Sequence, residues 1–498
     1  MENYSGVISY LSQQIGVTEP ALRLIFTLLA GYPLALIHRK FIYDKKPLLQ
    51  HLYFIVTGFL LGFWNYGTDI FHCVFATLFT FGTLGILKGT TASVVVTFVF
   101  NLGYLLLGYN YASTDNYDIN WTMPQCILTL RLIGVAFDLF DGRQPIDTLS
   151  ADSKKLALLQ PPNLLEIFGH AFFPSSFLVG PQFSMKRYLE FVDGKYNAKD
   201  GPPDSTSAAL RRFSYGLIYL SIFQMLGMFV SDEYLITDEF ANVSFLKKML
   251  LLGVWGRYTL YKYISCWLLA EGACILFGVA YNGTDDKGEI KWDGAENIKL
   301  GIFENTTEFN HYIKSFNVNT NNWIAQYVYK RLKFLGNRQL SQFFSLLFLA
   351  IWHGLHSGYY VCFFFEFIVI FMERQIKSIV NSNQTLTNFF SNPALQLPLQ
   401  IVLRLYTFVF MGWCLLPFAL LQYPRYFRAF ANVSYVGAIL FMGWPVLYAP
   451  FISFNYLGTC RFTWILVTLI LKKIDTQRKF ISRTKCLIGK DILRLYSM

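Results

Sequence analysis

Apolar runs of about 20 residues, separated by short polar or basic stretches, set the pattern of this chain. A bilayer core takes about 20 mostly apolar residues as a helix. Runs of that kind lie near residues 21–37, 51–66, 69–87, 91–110, 121–140 and 163–181. Others lie near 211–231, 246–282, 340–372, 396–422, 433–453 and 458–471. The run at 51–66 is short. Those at 246–282 and 340–372 are too long for one perpendicular helix, which predicts tilt, a break or a pair of helices. The pattern predicts an all-α, polytopic integral membrane protein with roughly 10–12 membrane helices.

Two polar stretches interrupt the runs. Residues 192–208, VDGKYNAKDGPPDSTSA, hold a Gly-Pro-Pro turn without apolar periodicity and predict an exposed connection. Residues 283–339 are too polar for a plain membrane helix, yet aromatic residues run through them and argue against disorder. No internal repeat or low-complexity tract is present, so 1–498 is expected to form a single integral domain. It has an extramembrane segment at 1–20 and a basic tail at 472–498. The first residues show no basic n-region and no h-region, and no cleaved signal peptide is expected.

Composition agrees with that division. The chain is 54% hydrophobic and only 15% charged, against about 25% charged in a soluble domain. The net charge of +11 sits in short clusters between apolar runs: Arg39–Lys46, Lys186–Lys199, Arg211–Arg212, Lys330–Arg338 and the tail. That distribution fits loops at an anionic membrane face and not a nucleic-acid partner, and the tail favours a cytosolic C-terminus. Eight cysteines without a CxxC pair predict reduced, buried thiols.

Chemistry concentrates in LAIWHGLHSGYYVCFFF, residues 349–365. Ionisable side chains inside a membrane are costly and mark function or a satisfied core group. His353 is the deepest of them. Gly354 and Gly358, at i and i+4, would admit a ligand or backbone beside it, and His356 would face the same cavity on a continuous helix. No HExxH pattern and no nearby Cys, Asp or Glu completes a metal site; Glu366 is the nearest acid. His356 is therefore expected to be a structural partner of His353, and no metal is expected. The preceding loop, SFNVNTNNW, offers Asn317, Asn319, Asn321 and Asn322 as neutral donors to a developing oxyanion, or equally as caps and turns. Without a nucleophile elbow or a Walker loop, the chemistry suggested is acid–base work on an alcohol with no covalent enzyme intermediate.

These residues also carry a resemblance. Phe316-Asn317 followed by Trp352-His353-Gly354 resembles the membrane-bound O-acyltransferase (MBOAT) family. The stretches NYDINWTMPQCILTLRLIGVAFDLFDG, FLVGPQFSM, CWLLAEGACILFGVAYNG and WDGAENIKLGIFE look like its lysophospholipid acyltransferase branch. The likeness runs from about Leu22 to about Glu373, with the last hundred residues fitting more loosely.

The resemblance implies membrane helices around a central cavity, with His353 and Asn317 catalytic. It implies transfer of an acyl chain from acyl-CoA, a co-substrate and not a cofactor, to a lysophospholipid, foremost lysophosphatidylcholine. It also implies an endoplasmic reticulum membrane; membrane lipids are further partners, and homo-oligomerisation stays open. Lys330, Arg331 and Lys333 are within plausible reach of the CoA phosphates. Trp352 is expected to line an acyl tunnel, and Gln182, Ser184, Trp292, Asp293 and Asn297 to lie near the cavity. Two alternatives remain: an MBOAT that acylates a peptide or sterol, and a transporter or scramblase with His353 as a proton relay. Against the latter, no charge is convincingly placed at mid-span and no two-half pattern is visible.

Overall fold

The computed structural model describes residues 6–114, 118–197 and 201–449. The expected span at 458–471 and the tail at 472–498 lie outside the described residues. The chain divides into two compact units. The larger is built from residues up to Ile370 with Asn388–Tyr435, and the smaller from Phe371–Thr387 with residues from Val436 onward.

All the regular elements described are helical. In chain order they begin with α1 (Val7–Ile15), α2 (Glu19–Ile37), α3 (Pro47–Tyr66), α4 (Ile70–Leu87), α5 (Thr91–Ala112) and α6 (Thr122–Asp141). Short α7 (Ala151–Leu156), α8 (Leu164–Ala171) and α9 (Met185–Val192) follow, then α10 (Thr206–Gly227) and α11 (Asp238–Ala241). The long α12 (Phe245–Phe277) comes next. The 283–339 stretch folds into α13 (Leu300–Phe303), α14 (Phe309–Ser315), α15 (Val318–Ile324) and two tighter or wider turns at Ala325–Tyr329 and Lys330–Leu335. α16 (Arg338–His353), α17 (Ser357–Ser382), α18 (Gln384–Phe390), α19 (Pro393–Leu420), α20 (Tyr423–Asn432) and α21 (Val436–Gly443) complete the order.

Six helical segments among the described residues are long and apolar enough to cross a membrane: Glu19–Ile42, Pro47–Leu87, Thr91–Ala112, Thr122–Asp141, Phe245–Phe277 and Pro393–Leu420. The chain is an all-α, multi-pass integral membrane protein. The count falls short of the expected 10–12 for particular reasons. α3 and α4 join through a single turn at Gly67–Asp69 into one apolar run. α16 has only 16 residues. The run at 163–181 is a helix for eight residues only, because Pro174 and Pro181 lack the N–H a longer helix needs. The run at 246–282, by contrast, is one unbroken 33-residue helix, about 50 Å long at 1.5 Å per residue.

Burial sorts these helices. In α6 and α12, 78% of the apolar stretch is buried, against 33% to 44% in the other four segments. α12 packs on α10, α19 and α2, while α5 packs on α6. Small residues allow a close crossing of α12 and α19: a Cβ on Gly256 would sit 2.6 Å from the Gly412 Cα. Backbones approach this closely only where side chains are missing. The outer faces carry Leu60, Ile86 and Val99 exposed, as a lipid-facing surface requires.

Candidate active site

His353 is the last residue of α16, and the backbone says why the helix stops there. Gly354 follows with φ 141° and ψ −169°, a region essentially closed to residues with a Cβ. α17 restarts at Ser357. The expected continuous face joining His353, Gly354, His356 and Gly358 is therefore corrected: the long 340–372 run is broken at the chemistry-bearing residues. Gly358 serves a different end. Its N–H donates to Leu421 O at 3.0 Å, and a Cβ there would lie 1.9 Å from Pro417 O.

Both histidines nevertheless line one cavity of about 820 Å³, together with Asn317, Asn321, Trp352 and Glu366. That volume suits a large ligand. Trp352 is pinned at both ends. Its indole donates to Cys126 O at 2.9 Å, and its carbonyl accepts from the Tyr109 hydroxyl at 2.9 Å. It thereby fixes the start of the His353 side chain. The imidazole lies among rings: Trp352 at 4.7 Å, Phe418 at 5.0 Å, Phe363 at 5.4 Å and Tyr359 at 5.6 Å. Among the described residues no group hydrogen-bonds to either ring nitrogen of His353.

Asn317 reaches the cavity by another backbone exception. It adopts φ 50° and ψ 45°, the left-handed conformation that Asn tolerates better than most residues. An antiparallel bridge between Ile298 and Phe316 brings the 296–298 turn against it. There the Asn297 Nδ2 donates to Asn317 Oδ1 at 3.2 Å. Glu271, buried on α12, accepts the backbone N–H groups of Asn297 and Ile298 at 2.7 and 3.0 Å. Arg212 faces Glu271 at 3.4 Å and also pairs with Glu296.

The Asn cluster divides between its two expected uses. Asn319 Nδ2 donates to Glu296 O at 3.0 Å, and Asn321 Nδ2 to Ile313 O and Phe316 O at 2.9 Å. Those two hold turns, while Asn317 presents its amide.

Other expected positions lie outside the cavity lining, Lys330, Arg331 and Lys333 among them. Lys330 pairs with Asp152. Arg331 makes two bonds to Asp141, at 2.9 and 2.5 Å, and lies 5.0 Å over the Phe137 ring. Lys333 is exposed. Acids at the end of α6 and on α7 claim the first two. Gln182 is buried, and Ser184 caps α9 by accepting the Arg187 N–H at 3.2 Å. Trp292 packs on Tyr281 at 5.8 Å, and Asp293 accepts from Asn282 at 2.8 Å. Only Asn297 of that group touches a cavity-lining side chain, Asn317.

Buried charges were missed, among them Arg131 and Glu271, besides Asp138 and Asp141 on α6. Arg131 lies within α6 and donates to His170 O at 2.6 Å, Ala171 O at 3.2 Å and Ser176 Oγ at 2.6 Å. Glu271 lies within α12. Both stand inside apolar runs, where the cost of intramembrane charge was the available signal. The expectation of no mid-span charge is thus corrected. A further open cleft of about 520 Å³ is lined by Arg211, Arg212, Glu296 and Lys299. The Lys299 N–H donates to Ser315 O at 2.8 Å, so this cleft abuts the end of α14 that leads to Asn317.

Comparison with known proteins narrows what such a cavity is for. The profile of the membrane-bound O-acyltransferase family matches residues 106–416. Lysophospholipid acyltransferase 5 of Drosophila melanogaster is 44% identical over 460 residues, covering 91% of each chain. The proteins of the same name from Mus musculus and Homo sapiens are each 41% identical over 436 residues, covering 87% of this chain and 90% of theirs. An apolar chamber within bilayer-length helices, with these relatives, defines a multi-pass membrane acyltransferase. The chain belongs to the membrane-bound O-acyltransferase family.

Proposed function

We propose that this protein moves an acyl chain from acyl-CoA to the free hydroxyl of a lysophospholipid, foremost lysophosphatidylcholine, in the endoplasmic reticulum membrane. The observation that supports it is an imidazole without a hydrogen-bond partner and a carboxamide lining the same aromatic-walled cavity. The names of the relatives support the acceptor class. An alcohol is a weak nucleophile until a base takes its proton, and imidazole, with an ordinary pKa of about 6.5, is suited to that at neutral pH.

His353 accepts the hydroxyl proton as the oxygen attacks the thioester carbonyl carbon. The carbonyl becomes an oxyanion beside Asn317, then collapses and expels CoA thiolate, which takes the proton back from the imidazolium. The new ester and free CoA are the products. The ring-lined walls around His353 keep out water, which would otherwise take the acyl group. Arg211 and Lys299 in the adjoining cleft match the donor's phosphates in charge.

Purified protein in nanodiscs, assayed with a panel of acyl-CoAs against lysolipid, peptide and sterol acceptors, tests the reading. CoA release and esterified lysolipid should rise together. His353→Ala should lower turnover about 10²–10⁴-fold while the protein still binds lysolipid. Retention of more than about a tenth of the wild-type rate excludes a general base.

A further inference from the structure

We infer that Asn297 is a positioning residue that sets which end of the Asn317 carboxamide faces the cavity, and that the end presented is the NH₂. The inference rests on the reading above, in which Asn317 and His353 serve acyl transfer. The two ends of a carboxamide have the same shape, so the hydrogen-bond network must decide the orientation.

The deciding group is the backbone N–H of Asn319. It can only donate, and its acceptor is the Asn297 side chain at 3.0 Å. That end of Asn297 is therefore Oδ1, and Nδ2 is the end directed at Asn317, 3.2 Å away. Two NH₂ groups cannot bond to each other, so Asn317 answers with its own Oδ1. Its Nδ2 is left for the cavity, and no described residue bonds to it.

Asn297 itself has no freedom to turn. It is 2% exposed. Its N–H is held by Glu271 at 2.7 Å, and its carbonyl accepts the Val318 N–H at 2.9 Å. The result is a donor aimed before substrate arrives.

A donor cannot accept the proton of the lysolipid hydroxyl. It can stabilise negative charge, and in acyl transfer that charge develops on the carbonyl oxygen of the thioester. The structure thus assigns Asn317 to the acyl donor and leaves the acceptor hydroxyl to His353.

Asn297→Asp separates orientation from size. The aspartate still accepts the Asn319 N–H but has nothing to donate, so Asn317 turns its NH₂ towards residue 297 and its oxygen towards the cavity. Turnover should fall about 10²–10³-fold, the loss seen when one oxyanion donor is removed. KM for acyl-CoA and lysolipid should stay within about twofold. Asn297→Ser, which is too short to reach Asn317, gives the same loss where the aspartate prevents folding.

The second arm is a cycle with Asn317→Gly, which keeps the left-handed backbone. Asn297→Ser in that background should lower turnover no further, because its only route is through Asn317. Wild-type turnover in Asn297→Asp, or losses that multiply in the double variant, overturns the positioning role alone. Wild-type turnover in Asn317→Gly overturns the role of Asn317 and this inference with it.

Discussion

Two ionisable side chains inside the helices of this protein are treated in opposite ways. Arg131 is tied down: the two Nη atoms of its guanidinium bond to four carbonyls and the Ser176 hydroxyl, within 2.6–3.4 Å, and only Nε makes no bond. It is bound to the turn that follows α8, where the prolines leave carbonyls without helical partners. His353 has rings on several sides and a cavity in front. The first arrangement commits a charge to folding, and the second, in the proposed reaction, leaves a base for chemistry. Removing a buried partner leaves each orphaned carbonyl costing about 1–3 kcal/mol. Arg131→Ala should therefore lower thermal stability and the yield of folded protein severely, while the fraction that folds keeps its turnover. A stable, inactive Arg131→Ala would place the arginine in the chemistry instead. At this scale residue type and apolar context singled out His353, which lines the cavity. The family resemblance put Asn297 near that cavity, but its contact with Asn317 was not legible, because it depends on a bridge between Ile298 and Phe316.

At the scale of elements, the decisive feature is the break after His353. Gly354 and Gly358 fit a continuous helix as well as a broken one, so periodicity could not distinguish them; the backbone angles of Gly354 do. Gly354→Ala forces a Cβ into a conformation costing about 1–3 kcal/mol, at 3.0 Å from the Tyr359 ring. The chain will relieve that strain by shifting the end of α16. A displacement of about 1 Å at the base lowers turnover about 10²-fold, so Gly354→Ala should fold with reduced turnover and little change in KM. Full activity would show that the break does not aim the imidazole.

The basic stretch before α16 shows a related limit of periodicity and charge: sequence does not reveal which acids the fold brings to it. Lys330 beside Asp152 holds that carboxyl below its ordinary value near 3.8. A depressed carboxyl contributes stability above its unfolded value, lost as the pH falls through the folded one. An exposed pair contributes about 0–1 kcal/mol. Lys330→Ala should leave KM for acyl-CoA unchanged at neutral pH, whereas Lys299→Ala should raise it. The reverse ranking, read from steady-state kinetics, would return the CoA phosphates to the stretch before α16.

For the whole molecule, hydropathy marked the helices and also separated them: α6 and α12 are the least apolar of the six segments and the most buried, because a helix inside the protein can carry polar groups that a lipid-facing one cannot. Small-residue contact sets how closely they pack. A Cβ on Gly412 would lie 2.2 Å from Leu252 O, so the crossing of α12 and α19 tolerates no added methyl. This crossing holds one side of the cavity, since α12 supplies Tyr263 and Trp267 and α19 supplies Phe418. Phe418 in turn packs edge-on against His353. Gly412→Ala must push the two helices apart and loosen the wall that keeps water from the thioester. The expected signature is a change in partition: CoA released without esterified lysolipid should rise as a share of total CoA release, with His353 and Asn317 themselves unchanged. Measuring both products on the same sample checks it. If each CoA released still matched one phospholipid formed, water exclusion would have to come from another part of the chamber.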